Sequence, residues 1–99
     1  MMILNDIVQD IYTLEDEMRI YERKYGVLSE TFYQSYAAGE EPLDESWVRD
    51  WTAWASAYSL HTKRRKQYDV AVKEMRATMK SMIDVIAQTA RHDPIRVSA

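Results

Sequence analysis

Cysteine is absent from the 99 residues, and glycine and proline occur only twice each, as Gly26, Gly39, Pro42 and Pro94. Without cysteine no disulfide can staple the chain, and with so few turn-forming residues it must fold into a small number of long elements. A chain of this size has room for one domain with a modest core, so help from a metal or a second subunit is the remaining route to extra stability. The two histidines, His61 and His92, stand far apart without acidic residues at ligand spacing, which argues against a structural metal. No apolar run approaches the ~20 residues of a membrane span. The opening residues carry Asn5, Asp6 and Asp10 where a secretory leader would be basic. The expected compartment is the cytoplasm.

Catalytic motifs are equally scarce. There is no glycine-rich phosphate loop, no His-Glu-x-x-His and no serine in a glycine-flanked elbow. Glu15, Asp16 and Glu17 are consecutive, so on a helix they splay apart and form a solvated face. Glu40, Glu41, Asp44 and Glu45 lack the alternating oxygen pattern of a calcium loop and fit an exposed acidic turn. The residues therefore point to a non-enzyme that needs no cofactor.

What the chain has in quantity is apolar periodicity. Leu4, Ile7, Ile11, Leu14, Met18, Tyr21, Tyr25 and Leu28 advance in steps of three and four, the mark of a heptad seam on a helix. Asn5 or Asp6 can cap its start and Gly26 its end, which predicts helix 1 over about residues 4–25, roughly 33 Å long. Ser29 as N-cap and Gly39 just past the end predict a short helix over about 30–38, whose Phe32, Tyr33 and Tyr36 cover one end of a hairpin. Pro42 stops it. From Asp44, a candidate N-cap, no glycine or proline intervenes before Pro94. The seam there runs Trp47, Trp51, Trp54, Tyr58, His61, Arg65, Tyr68, Val72, Met75, Met79, Met82, Ile86, and predicts one long helix over about 45–91, roughly 70 Å if continuous.

These lengths suggest a functional surface. Folded back antiparallel, helix 1 would cover only the Trp-rich part of the long helix and leave the seam from Tyr68 to Ile86 bare. So large an apolar stripe is unusual on a monomer. The expectation is an all-α, coiled-coil-like helical hairpin at residues 1–66, with an extension at 67–92 that dimerises or binds a partner through Tyr68, Val72, Met75, Met79, Met82, Ile83 and Ile86. His61 and Arg65, polar residues on the seam, would mark the boundary. The alternative is a kink near Ser59–Thr62 that folds the last third back into a monomeric bundle.

Charge is unevenly spread. Residues 1–45 carry a net −8 and residues 46–99 a net +5. The one basic run, Lys63-Arg64-Arg65-Lys66, suits nucleic-acid phosphates or an acidic partner. Because the chain as a whole is acidic and helix 1 offers Glu15, Asp16, Glu17 and Glu22, salt bridging within the chain or to a partner is the favoured role of that run. The stripe Trp47, Trp51, Trp54 and Tyr58 is read as core, with Trp54 and Tyr58 reaching the rim.

The segments Tyr21-Glu22-Arg23-Lys24-Tyr25-Gly26, Ser29-Glu30-Thr31-Phe32-Tyr33, Ala38-Gly39-Glu40 and Trp51-x-x-Trp54-Ala55-x-x-Tyr58 together resemble a group of small prokaryotic helical proteins. Their pattern reads YERKYG, SSEEFY, AGE, EWA, and many look like the antitoxin-like member of two-gene toxin–antitoxin modules. The resemblance covers about residues 20–60. Val27-Leu28 before Ser29, and Asp50-Trp51 through Trp54 in place of a Phe-x-Glu-Trp arrangement, depart from the pattern. What the likeness implies is a cytoplasmic, non-catalytic helical protein that sequesters a cognate toxin, with no catalytic residues to carry over. Beside it stand a nucleic-acid-binding or regulatory dimer and a structural coiled-coil adaptor.

Overall fold

The 3-4 spacing of apolar residues produces helices whose single greasy stripe has to find a partner stripe. The computed structural model describes residues 3–78 and 81–90, among which there are four helices: α1 (Leu4–Tyr25), α2 (Ser29–Ala37), α3 (Glu45–Thr78) and α4 (Met82–Ala90). Among the described residues no helix is long and apolar enough to cross a membrane.

The boundaries follow local chemistry. Gly26 and Gly39 take positive φ, 78° and 97°, the left-handed conformation that lets a chain leave a helix. Leu28 lies beyond the first of these and is exposed, although its spacing continues the α1 seam. Asp44 caps α3 as expected, its Oδ1 accepting the Ser46 N–H at 2.9 Å. At the other end of the chain Asp6 sits inside α1 and accepts the Ile3 N–H at 3.4 Å. Ser29 is the first residue of α2 and not its cap. That position belongs to Leu28, which has no side-chain cap, and the Ser29 N–H is instead satisfied by Glu22 Oε2 of α1 at 2.9 Å.

The described residues form two compact units, Tyr12–Thr62 and a second made of those before Tyr12 with those from Lys63 onward. In the Tyr12–Thr62 unit the core is Leu14, Met18, Phe32, Trp54, Ala55 and Ala57, ringed by tyrosines and Trp51. Trp54 is fully buried. Its ring stacks on Phe32 with centroids 3.9 Å apart and planes within 3°, and Tyr25 and Tyr21 stack beside it at 5.7 and 5.9 Å. The stripe is core at Trp54, which was expected to reach the rim and instead lies at the centre, whereas Trp47 is 37% exposed. A polar relay crosses this core: Trp54 Nε1 donates to Ser29 Oγ at 2.7 Å, and Ser29 Oγ donates to Glu22 Oε2 at 2.7 Å. Burying the indole and the serine is tolerable because both are paired. At the edge, Lys24 Nζ and Tyr25 Oη both donate to Asp50 Oδ2 at 2.6 Å. Burial and that bond push the Tyr25 phenol up to about 12, while the Lys24 and Tyr25 bonds hold the Asp50 carboxyl below its ordinary value.

In the second unit the first turns of α1 meet the later part of α3. Leu4, Ile7 and Ile11 pack with Ala71 and Met75, and Tyr68, Val72 and Val85 close around them. This corrects the length argument: Tyr68, Val72 and Met75 are not a bare seam. The expectation placed helix 1 against the Trp-rich part of the long helix, ending near His61 and Arg65. In the structure Asp10 lies against Arg64, which brings Leu4 to the level of Met75. Two alanines explain the rest, since Ala57 and Ala71 are buried where counting large residues alone selects Tyr58 and Val72.

The long helix also differs from expectation. It runs unbroken through 59–62, where a kink was the alternative, and ends at Thr78; a separate α4 begins at Met82. Val85 of α4 packs on the second core, so the last segment returns to its own unit.

Candidate protein-docking groove

The return of α4 builds a concave surface from residues that each had a simpler reason to be apolar. Ser81 starts the helix, its Oγ accepting the Asp84 N–H at 3.3 Å. Met82, Val85 and Ile86 then fall on one face by helical spacing. Across from them, α3 supplies Tyr68, Val72, Met75 and Arg76, and α1 supplies Leu4 and Val8. Together they enclose a groove of about 450 Å³. That volume is in the range of sites that bury a substantial ligand or side-chain cluster.

Of the seven residues that the seam nominated as an interface, five line this groove: Tyr68, Val72, Met75, Met82 and Ile86. They play two parts. Met75 is buried and Tyr68 and Val72 are partly buried, so they form the floor, whereas Met82 and Ile86 are 48% and 59% exposed and form the lip. Ile83 is 77% exposed and does not line the groove. Met79 lies outside the described residues. The seam does not nominate the walls contributed by Leu4 and Val8, because helix 1 was expected to lie on the Trp-rich part of the long helix. Their i, i+4 spacing was the available signal. The break before α4 also had a signal, since Ser81-x-x-Asp84 matches the spacing of a capping box.

The basic run divides. Arg64 Nε donates to Asp10 Oδ2 at 3.0 Å and its Nη1 to Gln67 at 2.8 Å, with the side chain largely buried. Lys63, Arg65 and Lys66 are exposed, and no carboxylate among the described residues pairs with them. The expected pairing of the run with Glu15, Asp16, Glu17 and Glu22 therefore does not occur. Glu15 lies 3.3 Å from His61 Nε2, Asp16 holds Arg19, and Glu22 serves Ser29. His61, expected as a boundary marker, is a largely buried partner of Glu15 on α1, and Arg65 is exposed. Among the described residues no group of three or more histidine or acidic side chains converges at metal-ligating distance.

No protein-family model, characterised protein or solved structure matches this chain.

Proposed function

We propose that the chain is a non-catalytic protein-binding module whose docking surface is the groove formed by α1, α3 and α4. On this reading it is the antitoxin-like member of a two-gene module, acting in the cytoplasm by occluding a cognate toxin. The observation that carries the proposal is the concentration of large apolar side chains around an open concavity. Met82 and Ile86 present about half their surface to solvent there, on a chain otherwise rich in charge. Concave apolar surfaces rimmed by polar residues are where proteins take hold of a partner's side chains. The methionines add adaptability, since an unbranched thioether can repack against different shapes. The resemblance of residues 20–60 to antitoxin-like proteins supports the choice of partner.

The test is genetic. The small protein encoded beside this chain should arrest growth when expressed alone, and co-expression of the chain should restore it. If the neighbouring product is harmless, or if rescue fails although the chain is made and folded, the toxin-sequestering role is wrong.

A second reading rests on the exposed cations Lys63, Arg65 and Lys66: a regulatory nucleic-acid-binding surface. It calls for salt-sensitive binding that disappears when those three are neutralised. A homodimer through the same groove is the competing use of the surface, and sedimentation of the isolated chain reads it directly.

A further inference from the structure

The groove has a charged margin as well as an apolar floor. Among the described residues lining it, Arg76 is the one that carries a charge, and no carboxylate among the described residues pairs with it. On a helix, residues eleven apart return to nearly the same face about 16 Å along the axis. Arg65 therefore stands on the same stripe as Arg76, with Val72 of the groove floor between them. Lys66 and Lys73, both exposed, occupy the neighbouring stripe on the solvent side. Asp69 is the single carboxylate within this margin, so four cations face one acid along three turns of α3. Arg64, the remaining arginine of the basic run, is consumed by Asp10 and takes no part.

From this juxtaposition we infer that the occupant of the groove is an amphipathic helix of another protein. Its apolar face enters between Met82, Ile86 and Val72, and its flank carries carboxylates that meet Arg76 and Arg65. The inference deepens the docking reading above and rests on it. A duplex nucleic acid would use the cations but has nothing to place in an apolar trough. A wholly apolar helix would fill the trough but leave the two arginines unmatched. An acidic amphipathic helix satisfies both, as helix-in-groove recognition does when i, i+3, i+4 and i+7 anchors supply affinity and flanking charges supply register and rate.

Three synthetic helical peptides of about 18 residues provide the probe. They share a leucine face and differ only on one flank, where two positions eleven apart are glutamate, glutamine or lysine. Titrated against the full chain by calorimetry, the glutamate peptide should bind about tenfold tighter than its lysine twin, with glutamine between. The double substitution Arg65→Gln with Arg76→Gln, both at exposed positions, should erase that preference while leaving circular dichroism unchanged. Equal affinity for all three peptides would overturn the acidic occupant and leave the docking reading standing. Binding by none of them would overturn the helical occupant, and growth rescue with a groove variant would then judge the docking reading separately. Two further results would also count against the inference. One is a dimer of the chain alone that dissociates on Ile86→Glu, which makes a second copy the occupant. The other is salt-sensitive binding of a short DNA duplex that displaces the glutamate peptide.

Discussion

Replacing Ser29 by alanine should destabilise the Tyr12–Thr62 unit far more than a serine at the start of a short helix would suggest. The Ser29 hydroxyl joins two groups, accepting from the indole of Trp54 and donating to Glu22. Its removal strands the Trp54 N–H, on a residue with no exposed surface, at a cost of ~1–3 kcal/mol. It also removes a bond to a carboxylate, of the charge-assisted kind worth ~1.5–3 kcal/mol. Because one oxygen serves both, the losses overlap, and about 3 kcal/mol is the expected total. For a domain of this size that corresponds to a fall in Tm of roughly 12–24 °C. Tryptophan fluorescence during urea or thermal unfolding is the natural assay, since Trp47, Trp51 and Trp54 all belong to this unit. Glu22→Gln is the internal control: it keeps an acceptor for Ser29 and loses only the charge, so it should cost about 1 kcal/mol. A Ser29→Ala loss below about 1 kcal/mol would refute the relay. So would a Glu22→Gln loss equal to that of Ser29→Ala.

The two neighbouring tryptophans should respond in opposite ways to loss of the indole N–H. Trp54→Phe breaks the bond to Ser29 and should cost ~2–3 kcal/mol in urea unfolding, whereas Trp51 Nε1 is buried without a partner, so Trp51→Phe should stay within about 1 kcal/mol of neutral. Ile7→Ala, at a position with no exposed surface, should cost ~2–5 kcal/mol by leaving a cavity between α1 and α3. Tyr25 gives a pH signature. Its folded phenol keeps its proton up to about pH 12 while the unfolded one loses it near 10. The stabilisation is complete below pH 10 and is lost as pH rises through 12. Ultraviolet titration of tyrosinate should show this late-ionising phenol, and Tyr25→Phe should flatten the alkaline fall in stability. Ser81→Ala should weaken the start of α4 by ~1 kcal/mol, seen as faster amide exchange confined to residues near Asp84.

Much of the fold is legible in the sequence, for reasons that differ by element. The α1 seam is plain because large aliphatic residues fill its inward positions and a glycine ends it; Leu4, Ile7, Ile11, Leu14 and Met18 are all buried. The α3 seam is half hidden because three of its inward positions are the alanines Ala55, Ala57 and Ala71 and another is Arg64, so size and polarity both favour adjacent residues. That one-step displacement set Arg65, which is exposed, on the inner face, and gave Tyr58 and Val72, which only flank the cores, the places of Ala57 and Ala71. The groove was legible as a list of apolar residues, not as a shape. Whether a stripe is floor, lip or free face depends on where a helix stops, and a four-residue cap at Ser81–Asp84 carries little weight against a seam that continues in step on either side of it. The Glu22–Ser29–Trp54 relay joins residues far apart in the chain through tertiary packing, which no local pattern encodes.

The proposed partner protein would be held by the groove and not by some other apolar point on the surface. Ile86→Glu and Leu43→Glu make the comparison, because both place a charge on an exposed apolar residue, one at the groove's lip and one on the turn before α3, where Leu43 is 99% exposed. Affinity of each purified variant for the purified neighbouring gene product should fall at least about tenfold for Ile86→Glu and remain that of the unsubstituted chain for Leu43→Glu. Unchanged binding by Ile86→Glu, or a loss confined to Leu43→Glu, would place the partner elsewhere on the surface.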